Sequence, residues 1–123
     1  MDASSPTRGQ IERTLSQRIQ ALYRTQLEHQ PSKVTCQLFD EKIAIILEDS
    51  ITQPEQLLLE NGQEELAEKV RAELDEAIQP QLKSLIEEVV GVDVIDILSN
   101  AKLETGRTAT VVILANPPQL RNL

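Results

Sequence analysis

Ile11, Leu15, Ile19 and Leu22 recur at steps of three and four residues, which places them on one helical stripe with Arg13, Gln17, Gln20 and Arg24 opposite. Thr7 and Gln10 have the spacing of a capping box, so an amphipathic helix is predicted from Thr7 to Glu28. Pro31 prevents its continuation, because the residue before a proline is pushed out of the helical region. From Lys33 the period falls to two. Val34, Cys36 and Leu38 alternate with polar residues, and Ile43, Ile45 and Leu47 repeat the pattern after Asp40 and Glu41, which predicts a hairpin. Ala44 and Ile46 make the second strand apolar on its other face too, so cover on both sides or an interior place in the sheet is expected.

Thr52 and Glu55 again have capping-box spacing around Pro54, and a short helix is predicted from Gln53 to Glu60, ending at Asn61 and Gly62. A long helix then runs from Gln63 to Val90, closed by Gly91. Its apolar positions form two stripes, Leu66, Val70, Leu74 and Ala77, then Leu82, Leu85, Ile86 and Val89, with Pro80 between them. A kink at Pro80 is expected to turn both stripes onto one sheet. Val92 to Leu98 reads as a third strand, Asn100 to Gly106 as a polar loop, and Thr108 to Ala115 as a fourth strand ended by Pro117 and Pro118. The order is helix, hairpin, helix, hairpin. The expected fold is α+β, a four-stranded, mostly antiparallel sheet with helices packed on one face. One domain is expected over residues 10–116, between a flexible N-terminus (1–9) and a flexible tail (117–123). The two-sided second strand makes a homodimer the expected assembly.

Charge narrows the partners. Twelve Lys and Arg stand against twenty Asp and Glu, a formal net charge of −8, with the acid concentrated between residues 31 and 90. Such a surface repels phosphate backbones, so no nucleic acid is expected as a partner. One Cys and one His exclude a soft-ligand zinc site and an internal disulfide. No apolar run is long enough to span a bilayer and no leader pattern opens the chain, so direct membrane insertion is not expected and the location is read as cytoplasmic.

Candidate chemistry is sparse. His29 has no nucleophile or orienting group placed beside it by the sequence, and Cys36 reads as a small apolar residue in a strand. The carboxylates of residues 64–88 lack the Glu-x-x-His spacing of a helical metal site, and no phosphate loop or nucleophile elbow is present. The chain is therefore expected not to be an enzyme and to need no metal or cofactor. Arg71 lies three residues from Glu68, a spacing that suits an intrahelical pair.

The order of a first helix, Pro31, a hairpin, Thr52-x-x-Glu55, Leu59, Gly62, Val70-Arg71, Glu87, Gly91, Val94, Ser99 and Leu114 resembles the MpsC-like family over roughly Gln10 to Ala115. That family is related to a component of a Na+-translocating, membrane-potential-generating system that also bears on bicarbonate supply, and was long known only as a domain of unknown function. Two departures stand out. Glu28-His29-Gln30-Pro31 replaces the family's usual Gly-Arg-Gly-Pro, and an aliphatic, Val112 or Ile113, replaces an aromatic near the last strand's end.

The resemblance implies a non-enzymatic regulatory or adaptor protein working through protein–protein contacts, with a bicarbonate or sodium transporter as the expected partner. Arg13, Arg24 and Pro31, with the loop around Asn100, are the candidate partner-binding residues. A second reading is a small-molecule or anion sensor, with ligand held between sheet and helices near Arg71, Ser99 and Arg107, since Arg suits bidentate recognition of a carboxylate or bicarbonate. An enzyme of unrecognised type ranks third.

Overall fold

A computed structural model describes residues 4–121, so residues 1–3, 122 and 123, at the far ends of the expected flexible segments, lie outside the described residues. The first helix, α1 (Arg8–Leu27), has the Thr7–Gln10 capping box in place and buries Ile11, Leu15, Ile19 and Tyr23. Two strands follow, β1 (Lys33–Phe39) and β2 (Lys42–Glu48), then helices α2 (Gln53–Glu60) and α3 (Glu64–Val90), and a second hairpin of β3 (Val94–Lys102) and β4 (Arg107–Leu114). The fold is α+β: among the described residues there are three helices and one four-stranded antiparallel sheet.

The strand order is β1-β2-β4-β3. Each hairpin pairs locally, and the two join through β2 and β4, with Ile43 opposite Val112 and Ile45 opposite Thr110. β2 is therefore interior, as its apolar pattern predicts. Side chains alternate across a sheet, so Cys36, Leu38, Ile43, Ile45, Leu47, Val112 and Leu114 point to one face, where they meet the stripe of α1 and the second half of α3 in a single core. α2 packs on α3.

Two expectations change. β3 continues to Lys102, opposite Arg107, so the stretch read as a loop from Asn100 is mostly strand and the turn is confined to Leu103–Gly106. Polarity misled there: Ser99 and Asn100 lie on an edge strand, where polar side chains meet water. In α3 there is one stripe, not two. Ala67, Arg71, Ile78, Leu82, Leu85, Ile86 and Val90 are buried, whereas Leu66 is 45% exposed and Ala77 is exposed. Arg71 holds a place on the buried side that apolar pattern alone would refuse it. Near the C-terminal end of the described chain Pro118 is buried, Leu120 packs against the core, and the Arg121 N–H donates to the Pro6 carbonyl.

Candidate functional site

The most concentrated polar chemistry lies where the β2–α2 connection passes under α3. Thr52 caps α2, and the Glu55 carboxylate accepts from the Thr52 backbone N–H and hydroxyl at 3.1 and 2.7 Å. The same carboxylate receives Arg71 in a bidentate fork, Nε at 2.8 Å and Nη2 at 2.6 Å. Nη2 also donates to the Ser50 carbonyl at 2.8 Å, and Nη1 reaches Asp75 at 3.3 Å. Glu55 is fully buried and Arg71 is 4% exposed. The Ser50 hydroxyl continues the network to Thr108 at 2.8 Å, and its N–H donates to the Gly106 carbonyl. One knot thus ties α2, α3, the β2–α2 connection and β4 together.

Charge follows from this geometry. Burial alone would lower the Arg71 pKa; the hydrogen bond and charge of Glu55, with help from Asp75, outweigh it and hold it above its ordinary value. Burial pushes the Asp75 carboxyl up and Arg71 pulls it part of the way back. Tyr23, buried on α1, is pushed up to about 12 by burial and then by the nearby Asp75 charge. The spacing argument paired Arg71 with Glu68, and that pairing is corrected: Glu68 is exposed, and Arg71 turns inward to Glu55 and Asp75.

Beside the knot, a cleft of about 590 Å³ opens between the first half of α3 and the end of β3. It brings Arg71 and Ser99 together, with Asp75, Glu76, Lys102 and Glu104 among its walls. Ser99 spends its hydroxyl on Thr110 at 2.8 Å. Arg107 is not in this cleft; it lies on the opposite face of the sheet, paired with Glu48 at 2.7 Å.

The partner-binding candidates also separate. Arg13 and Arg24 are exposed on the outer side of α1 and make no ion pair among the described residues. Pro31 is buried, and its carbonyl accepts from Gln20 Nε2 at 2.7 Å, so it shapes the loop from inside. Cys36 is buried as well; burial raises its thiol pKa, with Ser16 lowering it and Glu12 raising it to a lesser degree, so the thiolate that reaction requires is disfavoured. Among the described residues no group of three or more His, Cys, Asp or Glu is placed to hold a metal ion.

A family model described as Na+-translocating membrane potential-generating system (MpsC) matches residues 7–116. The chain belongs to the MpsC family. The match runs from the N-cap of α1 past the end of β4, so the whole α+β unit is the MpsC domain. No curated protein sequence and no solved structure shows significant similarity to it. No helix among the described residues is long and apolar enough to cross a membrane. In this MpsC domain the loop after α1 has a visible cost. Glu28 sits at φ 54° as the C-cap of α1, a left-handed conformation that glycine takes without penalty. His29 Nε2 lies 2.7 Å from the Asp49 carbonyl, joining the loop to the end of β2.

Proposed function

We propose that this chain is a non-enzymatic regulatory or adaptor protein of a Na+-translocating system, working in the cytoplasm as a homodimer and through protein–protein contacts. The observation that carries this reading is the MpsC family match over residues 7–116. The geometry favours a docking part in two ways. Arg13 and Arg24 form an uncommitted basic edge on α1 of an otherwise acidic chain, and such a patch steers an acidic partner surface. The anion-sensor alternative is weakened, because Arg71 already gives its donors to two carboxylates and a carbonyl, and acidic groups outnumber basic ones in the lining of the cleft beside it.

The test is affinity capture from native cells after gentle membrane solubilisation, comparing the natural chain with an Arg13→Glu, Arg24→Glu double variant. Reproducible enrichment of a transporter complex by the natural chain, reduced at least several-fold in the variant, is the expected result. Capture of no specific complex by the natural chain overturns the adaptor reading. Equal capture by both forms removes α1 as the contact surface. A rise in melting temperature with bicarbonate well above its dissociation constant would instead favour the sensor.

A further inference from the structure

The core accounts for one face of the sheet, and the other face is bare. Phe39, Ile46, Leu98 and Val111 are 44%, 36%, 61% and 39% exposed, and the register sets them around Ala44, Ala109 and Ile113 in one outward-facing patch. The sheet edges are treated differently. On β1 the Leu38 N–H is taken by the Glu12 carboxylate at 2.8 Å, and on β3 Val94 gives its N–H to Glu87 at 2.9 Å and Ala101 to the Asn100 side chain at 3.0 Å. β3 also carries a register shift between Val94 and Asp96. Plugged edges and a bulge resist strand addition, so the sheet discourages pairing at its margins and leaves its face open.

We infer that this face binds a second copy of the chain, sheet on sheet, about a two-fold axis lying in the interface and running across the strands. The inference rests on the homodimer part of the proposed function and names its surface. Charge points to that occupant. The densest acid of this −8 chain is on the helical side, in the exposed Glu60, Glu64, Glu65, Glu68, Glu73, Glu76 and Glu88 of α2 and α3, whereas the outward positions of the strands carry Lys33, Lys42, Lys102 and Arg107 against Glu48 and Asp96. Face-to-face pairing therefore keeps the two acidic sides apart.

The arrangement of charges selects the axis. Asp96 and Lys102 stand at opposite ends of the outward side of β3, and neither has an ion-pair partner among the described residues. An axis across the strands lays β3 antiparallel over the second copy's β3, so that Asp96 meets Lys102 twice and Lys42 meets Glu48 twice. An axis along the strands would set Lys102 against Lys33. Aligned packing of two twisted sheets, about 30° apart, preserves the first match. Leu98, Val111, Ala109, Ala44 and Ile46 then lie beside the axis, with Asn100 facing the second copy's Leu98. Four strands about 4.8 Å apart and about seven residues long at about 3.4 Å give a flat footprint near 450 Å² per copy. Side-chain relief enlarges that footprint, bringing the pair to the about 1,000 Å² that a specific interface needs.

Sedimentation or light scattering across a concentration series, with melting curves as folding controls, tests this on the full chain. Twice the 13.8 kDa chain mass at tens of micromolar is expected. Asp96→Lys and Lys102→Asp should each weaken the dimer about tenfold, and the double swap should restore it to within about twofold. Leu98→Asp should yield a folded monomer. A monomeric natural chain at about 100 μM overturns both the homodimer and this interface. A dimer that ignores all of these substitutions overturns the interface alone. Protection of β3 and β4 amides that appears only with added anionic vesicles or another protein assigns the face elsewhere and also overturns it.

Discussion

Arg71 shows how one side chain can be both costly and indispensable. A buried guanidinium and carboxylate roughly cancel each other's desolvation when paired, but removing one strands the other, at about 3–5 kcal/mol. Arg71→Met and Glu55→Gln are each expected to lower the unfolding free energy by about that much. A paired Arg71→Met, Glu55→Gln variant should lose clearly less than the sum, as a double-mutant cycle by urea unfolding would show. Both residues are legible in the sequence, Glu55 as the third helical position after a Thr cap and Arg71 as a family position. Their partnership is not, because local spacing offers Glu68 to Arg71 and says nothing about a residue sixteen positions away. Tyr23 makes a second prediction. Its folded pKa, about 12, exceeds the unfolded value of 10, so the phenol's share of stability is complete below pH 10 and is lost as pH rises toward 12. The loss is about 2–3 kcal/mol, and Tyr23→Phe should flatten the alkaline end of a pH–stability curve.

At the level of elements, caps and periods located all seven, and the boundaries moved where polarity and strand geometry disagree. The Asn100 region forms strand because β4 offers it a partner across the turn at Gly106, whose φ of +74° suits glycine. That information resides in the pairing, which no local pattern encodes. α3 is the opposite case. Its apolar residues imply a change of face at Pro80, but the helix runs unbroken from Glu64 to Val90, with Pro80 exposed on its outer side. An interior proline forfeits one ladder hydrogen bond and crowds the preceding turn, so Pro80→Ala is expected to stabilise the protein by about 1–3 kcal/mol. Thermal and urea unfolding would measure the gain. An unchanged or lower midpoint would mean that Pro80 costs α3 nothing at this position.

For the whole molecule, helix, hairpin, helix, hairpin was enough to give the class and a two-layer plan. It was not enough to give the strand order, since either hairpin could have presented either strand to the other. The choice of β2 and β4 as neighbours follows from burial: β2 is apolar at nearly every position, and β4 brings Thr108, Thr110, Val112 and Leu114 inward beside it. The candidate sites fared less evenly, because sequence separation hides sidedness. Arg71 and Ser99 share a cleft, Arg107 occupies the far side of the sheet, and Pro31 is interior.

That sidedness also governs how the molecule meets others. At physiological salt the screening length is about 8 Å, shorter than the molecule is thick, so an approaching surface feels the charge of the side it nears and little of the rest. A basic segment is drawn to the glutamates of α3, and an apolar, weakly charged one finds no barrier at the sheet. The core lies between these two sides, so occupation of one leaves the approach to the other electrostatically unchanged.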